Sequence, residues 1–310
     1  MEINSSLIVT QRRQQQAQPA PISSLPWPSS PGPIGLKPRK IRARGLRRAI
    51  LPGLFLAGLG LMALLAPWLA PADPMALVAS PLAPPSLNHW LGVDHLGRDI
   101  LSRLLFGGRW TLGAGLLAAV VAAAPGTLLG LLSGYFEGPI DILISRALDV
   151  LLAVPRLLLA MGIVALTGKG LLNIALAVGL SGIPVVARVV RTATRALRRQ
   201  TFIEATRALG AHDSAIIRRH IWPNVYGTAL VVVTLQMGWA ILDISALSFL
   251  GFGPPLGTPE WGTMLNEERV ALRDAPWAAL APGLTVALAV LTVNLLGDAL
   301  RDALDPYQGR

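Results

Sequence analysis

The chain alternates long apolar runs with shorter polar segments, and the lengths of the runs indicate the architecture. Six runs approach the ~20 residues that an α-helix needs to cross ~30 Å of hydrocarbon. They cover residues 50–70, 109–133, 142–167, 171–190, 224–250 and 277–300. This pattern predicts an all-α integral membrane protein with six transmembrane helices.

Composition supports the membrane assignment. Hydrophobic residues make up 53% of the 310 positions and charged residues only 14%, and the mean hydropathy is +0.55, values outside the range of soluble domains. The net charge of +10 would suit a nucleic-acid-binding protein, but the basic residues cluster at the ends of apolar runs, so nucleic acid is not an expected partner. The absence of cysteine excludes disulfides, thiol catalysis and thiolate metal sites.

Lysine and arginine are divided unequally between the two sides that six alternating spans would create. Twenty lie in the N-terminal tail, around the second-to-third turn, in the polar segment before the fifth run and at the C-terminus, against six in the other loops. Basic residues are enriched on the cytoplasmic side of membrane proteins, so both termini are predicted to be cytoplasmic. Residues 1–49, rich in Gln, Pro and Ser, are predicted to be a disordered cytoplasmic tail. The membrane domain then covers 50–310, with outside loops at 71–108 and 251–276 and a cytoplasmic loop at 191–223.

The first outside loop contains several potential metal ligands. They are His89, Asp94, His95 and Asp99. These residues are scattered across turn signals and include no pair of ligands at helical spacing, so we predict no metal site. From Asp99 onward the loop is predicted to form a short amphipathic helix at the membrane surface.

The stretch over 201–224, TFIEATRALGAHDSAIIRRHIWPN, is a polar interruption between two long apolar runs. Good helix formers predict a helix that stops at Gly210, which adopts left-handed backbone conformation without penalty. Asp213 or Ser214 is expected to cap a second short helix, and Pro223 is expected to begin a new element.

At these residues the chain resembles the EAA loop of bacterial ABC-importer permeases, the cytoplasmic element that docks into the ATPase subunit. The matching positions are Glu204-Ala205-Thr206, Gly210 and Ile221-Trp222-Pro223. Thr206 and Trp222 depart from the usual alanine and leucine. Two further strings, HWLGVDHLGRDILSRLLFGGR from residue 89 and ALSFLGFGPPLGTPEWGTMLNEE from residue 246, are similar to C-type permeases of the dipeptide, oligopeptide and nickel transport family.

The resemblance covers residues 50–306 and implies the MetI-like transmembrane domain of a type I ABC importer in the bacterial inner membrane. It also implies partners: a second homologous permease, two cytoplasmic ATPase subunits that hold ATP and Mg²⁺, and a periplasmic or lipid-anchored substrate-binding protein. Peptides are the expected substrate, and nickel or a metal chelate is the alternative. The residues implied to contact the ATPase are Glu204, Ala205, Thr206, Leu209, Gly210 and Ala211.

Polar residues inside apolar runs are costly and therefore mark candidate functional positions. Asp149 and Arg156 are seven residues apart, which would place them on one face of a continuous helix. Together with Gln236 and Asp243 they are the predicted wall of a translocation path.

Three glycines in the second run recur at a spacing of four residues. They are Gly126, Gly130 and Gly134. Small residues on one helical face allow a second helix to approach closely, so we predict that they form a helix-packing surface.

Motifs that would give the chain its own chemistry are incomplete. Gly168-Lys169-Gly170 lacks the upstream glycine spacing and the following Ser or Thr of a phosphate-binding loop. Ser181 resembles the nucleophile of rhomboid intramembrane proteases, but every histidine falls outside the apolar runs, so no base would be within reach. A secondary carrier, the other open class, should show paired broken helices and no docking loop. We therefore predict that the chain is not an enzyme and binds no cofactor or metal.

Overall fold

The computed structural model describes residues 43–304. Most of the tail predicted over 1–49, and the last six residues of the chain, lie outside this range. Regular structure within the range is helical apart from two isolated β-bridges, so the all-α prediction is confirmed.

The helices are described in chain order. Helix α1 spans Ala43–Leu64 and α2 spans Ala66–Leu69, followed by α3 over Ile100–Tyr135, α4 over Pro139–Ala153, α5 over Arg156–Thr167 and α6 over Leu171–Arg198. Then come α7 over Thr201–Ala208, α8 over Asp213–Ile216, a π-helical turn over Ile217–Ile221, α9 over Trp222–Phe249, α10 over Trp261–Glu268 and α11 over Pro276–Leu304. Helix α6 packs along α3, α9 contacts α3, α6 and α11, and α1 packs on α11.

Fewer complete spans are present than the sequence predicts. Within residues 43–304, four helical stretches are long and apolar enough to cross a membrane: α3, α6, the continuous stretch Asp213–Phe249, and α11. Helices α4 and α5 together would make a fifth, and the apolar part of α1, Arg48–Leu64, is shorter than a span. The described part of the chain is thus that of an all-helical membrane protein, with four or five helical segments long and apolar enough to span a membrane.

The single helix predicted over 142–167 is wrong, because the chain breaks between α4 and α5 and the two helices bend by 89°. Val154 is extended at ψ 130° and Pro155 occupies the N-cap of α5. Proline disfavours helical backbone at the preceding residue and cannot donate to the helix, which explains a break here. Asp149 and Arg156 consequently lie on different helices and not on one face, as had been expected.

The short surface helix predicted from Asp99 is also wrong, because it joins the next apolar run to make the 36-residue α3. The carboxylate of Asp99 caps α3 by accepting from the backbone N of Ser102 at 2.8 Å. Gly107 of this helix lies against the segment that leads into α10: a Cβ there would stand 2.5 Å from the Pro259 carbonyl oxygen and 2.9 Å from Trp261 Cδ1.

A buried ionic network joins the two loops predicted to lie outside, 71–108 and 251–276. Asp94 Oδ2 accepts from Arg98 Nε at 2.6 Å and from Arg103 Nη1, and Glu267 Oε2 accepts from the same two side chains at 3.1 and 2.9 Å. All four side chains are at most 4% exposed. Burial raises the pKa of the Asp94 carboxyl, but the backbone hydrogen bond from Arg98 and the two guanidinium charges outweigh it and leave the pKa below 3.8.

The spaced glycines of α3 face α6. A Cβ at Gly130 would lie 2.6 Å from the carbonyl oxygen of Ala187 and 2.7 Å from Val190 Cβ. Gly126 and Gly134 are similarly close to the α6 backbone, at 3.0 and 2.6 Å from carbonyl oxygens. Since these contacts involve backbone, a side chain could be accommodated only by moving the helices apart.

Substituting Gly130 with alanine is expected to lower the thermal unfolding temperature of the detergent-solubilised protein by several degrees, because overpacking a close contact costs about 1–3 kcal/mol. Gly113→Ala on the same helix is the matched control, since a Cβ there meets nothing within 4 Å. Unfolding monitored by a thiol-independent fluorescence assay compares the two variants. Equal unfolding temperatures would show that the α3–α6 contact tolerates the methyl group.

Candidate functional site

The polar segment between α6 and α9 folds as a compact knuckle, which we define as residues 201–224. Its inner side is apolar: Ile203, Ile216 and Ile221 are 0–1% exposed and pack into the cluster around the ends of α3, α6 and α9. Its outer side carries the predicted ATPase-contacting residues, of which Leu209 is 88% exposed. Among the others, Glu204, Ala205 and Gly210 are exposed and Thr206 and Ala211 are half-buried.

The tip of the knuckle is the turn at Gly210. Its φ of +82° lies in the left-handed region, where glycine is favoured, and its backbone N donates to Arg207 O at 3.0 Å. The prediction that the first helix stops at Gly210 is therefore confirmed. The Thr206 hydroxyl donates back to Phe202 O at 2.7 Å, so its polar group is satisfied within α7.

The second half of the knuckle differs in part from the expectation. The N-cap of α8 is His212, which makes no capping hydrogen bond through its side chain, so neither Asp213 nor Ser214 is the cap. Pro223 lies in the first turn of α9, which agrees with the expectation that it begins a new element, although the backbone stays helical through the preceding π-helical turn. A proline removes one helical hydrogen bond, and the wider turn before it absorbs that loss.

Tyr135, at the end of α3, anchors the knuckle. Its hydroxyl donates to Asp213 Oδ1 and accepts from Arg207 Nη2 at 3.0 Å. The guanidinium groups of Arg207 and Arg198 also stand 5.6 and 5.8 Å from the centre of its ring. The side chain is 2% exposed, so α3 is joined firmly to both α7 and α8. Sequence reasoning missed this residue; a tyrosine ending an apolar run beside an arginine-rich loop was the available signal.

Asp141 forms a second clamp on the same side of the molecule. It accepts from Arg191 Nε at 2.6 Å, Arg191 Nη2 at 2.7 Å and Arg195 Nη2 at 3.0 Å, and from the hydroxyl of Ser133. These bonds tie the start of α4 to α3 and to the last turns of α6. The residue was not selected from sequence, because an acid at the edge of an apolar run gives no sign of its partners.

The four predicted path residues take part in three separate contacts. Arg156 Nη2 lies 2.7 Å from Asp243 Oδ2, with side chains 23% and 16% exposed, so an ion pair joins the start of α5 to the last third of α9. Asp149 instead pairs with Arg188 at 2.8 Å in a solvent-accessible position, 52% and 59% exposed. Gln236 is 3% exposed and faces Gly182 of α6, whose added Cβ would stand 2.1 Å from its amide nitrogen.

The described residues do not support a serine nucleophile at Ser181 or a metal site in the first loop. Ser181 is buried and its hydroxyl donates to Val178 O at 2.8 Å, which leaves it bonded to its own helix. Asp94, His95, Glu267 and Glu268 bring potential ligand atoms within 4.8 Å of one another. However, the oxygens of Asp94 and Glu267 are already bonded to Arg98 and Arg103, whose charges would repel a metal cation.

Comparison with known proteins gives consistent matches. Residues 126–309 match the family described as binding-protein-dependent transport system inner membrane component. The glutathione transport system permease protein GsiD of Escherichia coli O6:K15:H31 is 48% identical over 267 residues, 86% of this chain and 88% of that protein. GsiD of Pectobacterium atrosepticum is 49% identical over 222 residues, 72% and 74% of the two chains. In fold, the chain is similar to the inward-facing MetNI methionine ABC transporter, with a TM-score of 0.56 and 18% identity, covering 66% of this chain and 98% of that one.

Proposed function

We propose, from the premise that this chain belongs to the family of binding-protein-dependent transport system inner membrane components, that its knuckle transmits the action of an ATPase to the membrane helices. The protein is the permease component of an ABC importer and resides in the bacterial inner membrane. Coupling is the function that such a component must supply, because the energy source lies in other subunits.

The exposed tip of the knuckle is the observation that carries the proposal. Leu209 is 88% exposed beside the open turn at Gly210, although its neighbours on the inner side are fully buried. An apolar side chain presented on a rigid support is suited to filling a groove on a partner. Because Tyr135 bonds to both halves of the knuckle, a push on the tip would be passed to α3 as well as to α6 and α9.

The proposed assembly follows from this role. A second homologous permease completes the path, two cytoplasmic ATPases bind ATP and Mg²⁺, and a periplasmic or lipid-anchored protein delivers substrate. In the proposed topology α1 and the α4–α5 pair complete six crossings, with both termini in the cytoplasm. The basic residues that surround the knuckle support this orientation.

A short peptide is the substrate that we favour over nickel or a metal chelate. The relatives named as glutathione permeases support this choice. The Arg156–Asp243 pair also presents one positive and one negative group in a half-buried position. A peptide carries a carboxylate and an amine that could exchange with these two groups, whereas a nickel ion would be repelled by the arginine.

Uptake into vesicles tests the proposed function directly. The complete importer, reconstituted with its ATPases and binding protein, is expected to accumulate radiolabelled glutathione or a dipeptide only when ATP is supplied. Nickel chloride serves as the competing substrate in a parallel assay, and vesicles without the binding protein are the control. ATP-dependent nickel uptake without peptide uptake would contradict the substrate assignment, and uptake that needs no ATPase would contradict the coupling role.

A further inference from the structure

An apolar groove runs between α3 and α9 next to the knuckle. Its volume is about 480 Å³, and its walls are residues between 120 and 131 of α3 and between 222 and 233 of α9. Every lining side chain is hydrophobic except that of Thr127. Ala123 and Ala124 on α3 supply little bulk opposite the larger side chains of α9, which leaves the space open.

The length of the groove matches half the thickness of the hydrocarbon region of a bilayer. Residues 222–233 rise by about 16 Å at 1.5 Å per residue, close to half of the ~30 Å hydrocarbon thickness. At one end of the groove the rings of Trp222 and Tyr226 pack edge to face, with centroids 5.6 Å apart. Tryptophan and tyrosine are enriched at the level of lipid headgroups, so this end marks the membrane surface and the other end the middle of the bilayer.

Positive charge without an acidic partner lies beyond the aromatic end. Arg218 and Arg219 stand in the π-helical turn one turn before Trp222, and both are exposed. Within residues 43–304, neither has a carboxylate within salt-bridge distance, in contrast to Arg191, Arg195 and Arg207 nearby. An acyl-chain-sized apolar slot thus lies directly after a turn of the chain that carries two exposed arginines without a carboxylate partner among residues 43–304.

We propose that this groove binds an anionic phospholipid of the inner leaflet, with one acyl chain along α3 and α9 and the phosphate at Arg218 and Arg219. Guanidinium groups bind phosphate oxygens in charge-assisted pairs, and basic residues at the cytoplasmic surface attract anionic lipid. The assignment of the leaflet rests on the proposed cytoplasmic position of the knuckle. A lipid bound here would brace the start of α9, where the knuckle passes into the membrane.

Lipid binding to the complete purified importer tests the proposal. Native mass spectrometry with phosphatidylglycerol is expected to show about 30-fold weaker binding to the Arg218→Gln/Arg219→Gln variant. Each arginine near the surface contributes ~1 kcal/mol to binding of anionic lipid, and the loss of two such contributions corresponds to this ratio of dissociation constants. The Arg269→Gln/Arg273→Gln variant removes the same charge from exposed positions of the second outside loop and should bind as the unmodified importer does. Phosphatidylcholine and glycerol phosphate should each bind poorly, because the first lacks net negative charge and the second lacks the acyl chain.

A second variant tests the groove independently of charge. Ala123→Phe fills the slot and is expected to reduce phosphatidylglycerol binding, whereas Leu116→Phe, at an exposed position of α3 outside the groove, should not. Unchanged binding in both the arginine and the Ala123 variants would overturn the proposal. Loss of the second permease subunit from the Ala123→Phe complex, with lipid binding unaltered, would assign the groove to a partner helix. Binding is measured without transport, so failed uptake would count against the proposed function and leave this result intact.

Discussion

Replacing Gly210 with aspartate is expected to abolish uptake in the reconstituted importer while the permease still inserts into the membrane. The residue stands at φ +82° on the exposed tip of the knuckle, so a side chain there is strained by about 1–2 kcal/mol and would stand at the proposed ATPase contact. Uptake should fall to background, and the ATPase activity that remains should no longer respond to loaded binding protein. Both quantities are measured in the same proteoliposomes.

Gly138→Asp is the matched control for this substitution. Gly138 has φ +87° and ψ −138°, is exposed and has open space around its Cα, so the same change places the same charge at a turn outside the knuckle, in a backbone conformation that disfavours side chains at least as strongly. We expect it to retain most of the uptake. Glu204→Lys, which reverses an exposed charge on α7, should reproduce the Gly210→Asp defect. Coupled transport at the unmodified level in the Gly210 and Glu204 variants would remove the knuckle from the mechanism.

Substituting Asp243 with alanine is expected to reduce uptake by at least about tenfold, because Arg156 would be left half-buried without its counter-ion. Breaking a fully buried pair costs about 3–5 kcal/mol, whereas an exposed pair contributes about 0–1 kcal/mol. Asp149→Ala is therefore the control: its pair with Arg188 is more than half exposed and its loss should leave uptake nearly unchanged. Initial rates are compared in complexes that contain equal amounts of both permeases.

A double variant separates a structural role of the pair from a role in the path. Arg156→Leu/Asp243→Leu removes both charges together, so it should recover the thermal stability lost in Asp243→Ala. If the pair contacts substrate, uptake stays low in the double variant although the protein is stable. Recovery of uptake together with stability would show that the pair only holds α5 against α9.

The sequence predicted those features that depend on neighbouring residues. The apolar runs located α3, α6, α9 and α11, and the backbone freedom of Gly210 located the tip of the knuckle. Features that depend on distant contacts were missed. Tyr135 hydrogen-bonds to Asp213, which lies 78 positions further along the chain. The residues around each of them give no sign of this contact. A proline in an apolar run permits both a kinked and a broken helix, and at Pro155 the broken form is accompanied by the Arg156–Asp243 contact.

The length of α3 was missed for a related reason. Gly107 and Gly108 favour an interruption of the helix when the sequence is read alone, because glycine weakens helices. In the fold these glycines accept Trp261, whose ring atoms lie against both positions, and the contact compensates for the weak local preference. The signal for the continuous helix therefore lies about 150 residues further along the chain and is not visible in the run itself.

The buried ions between the loops at 71–108 and 251–276 determine how the surface that we propose to be periplasmic can move. Arg98 and Arg103 hold Asp94 to Glu267 with bonds of 2.6 to 3.1 Å, and separating the loops would strip charges of their partners inside the protein. We therefore expect this surface to move as a rigid body, which can tilt but does not change its own shape. The proposed substrate-binding protein would meet the same contour at every stage of the cycle, and it could respond to the state of the importer only through the angle between this rigid surface and that of the proposed second permease.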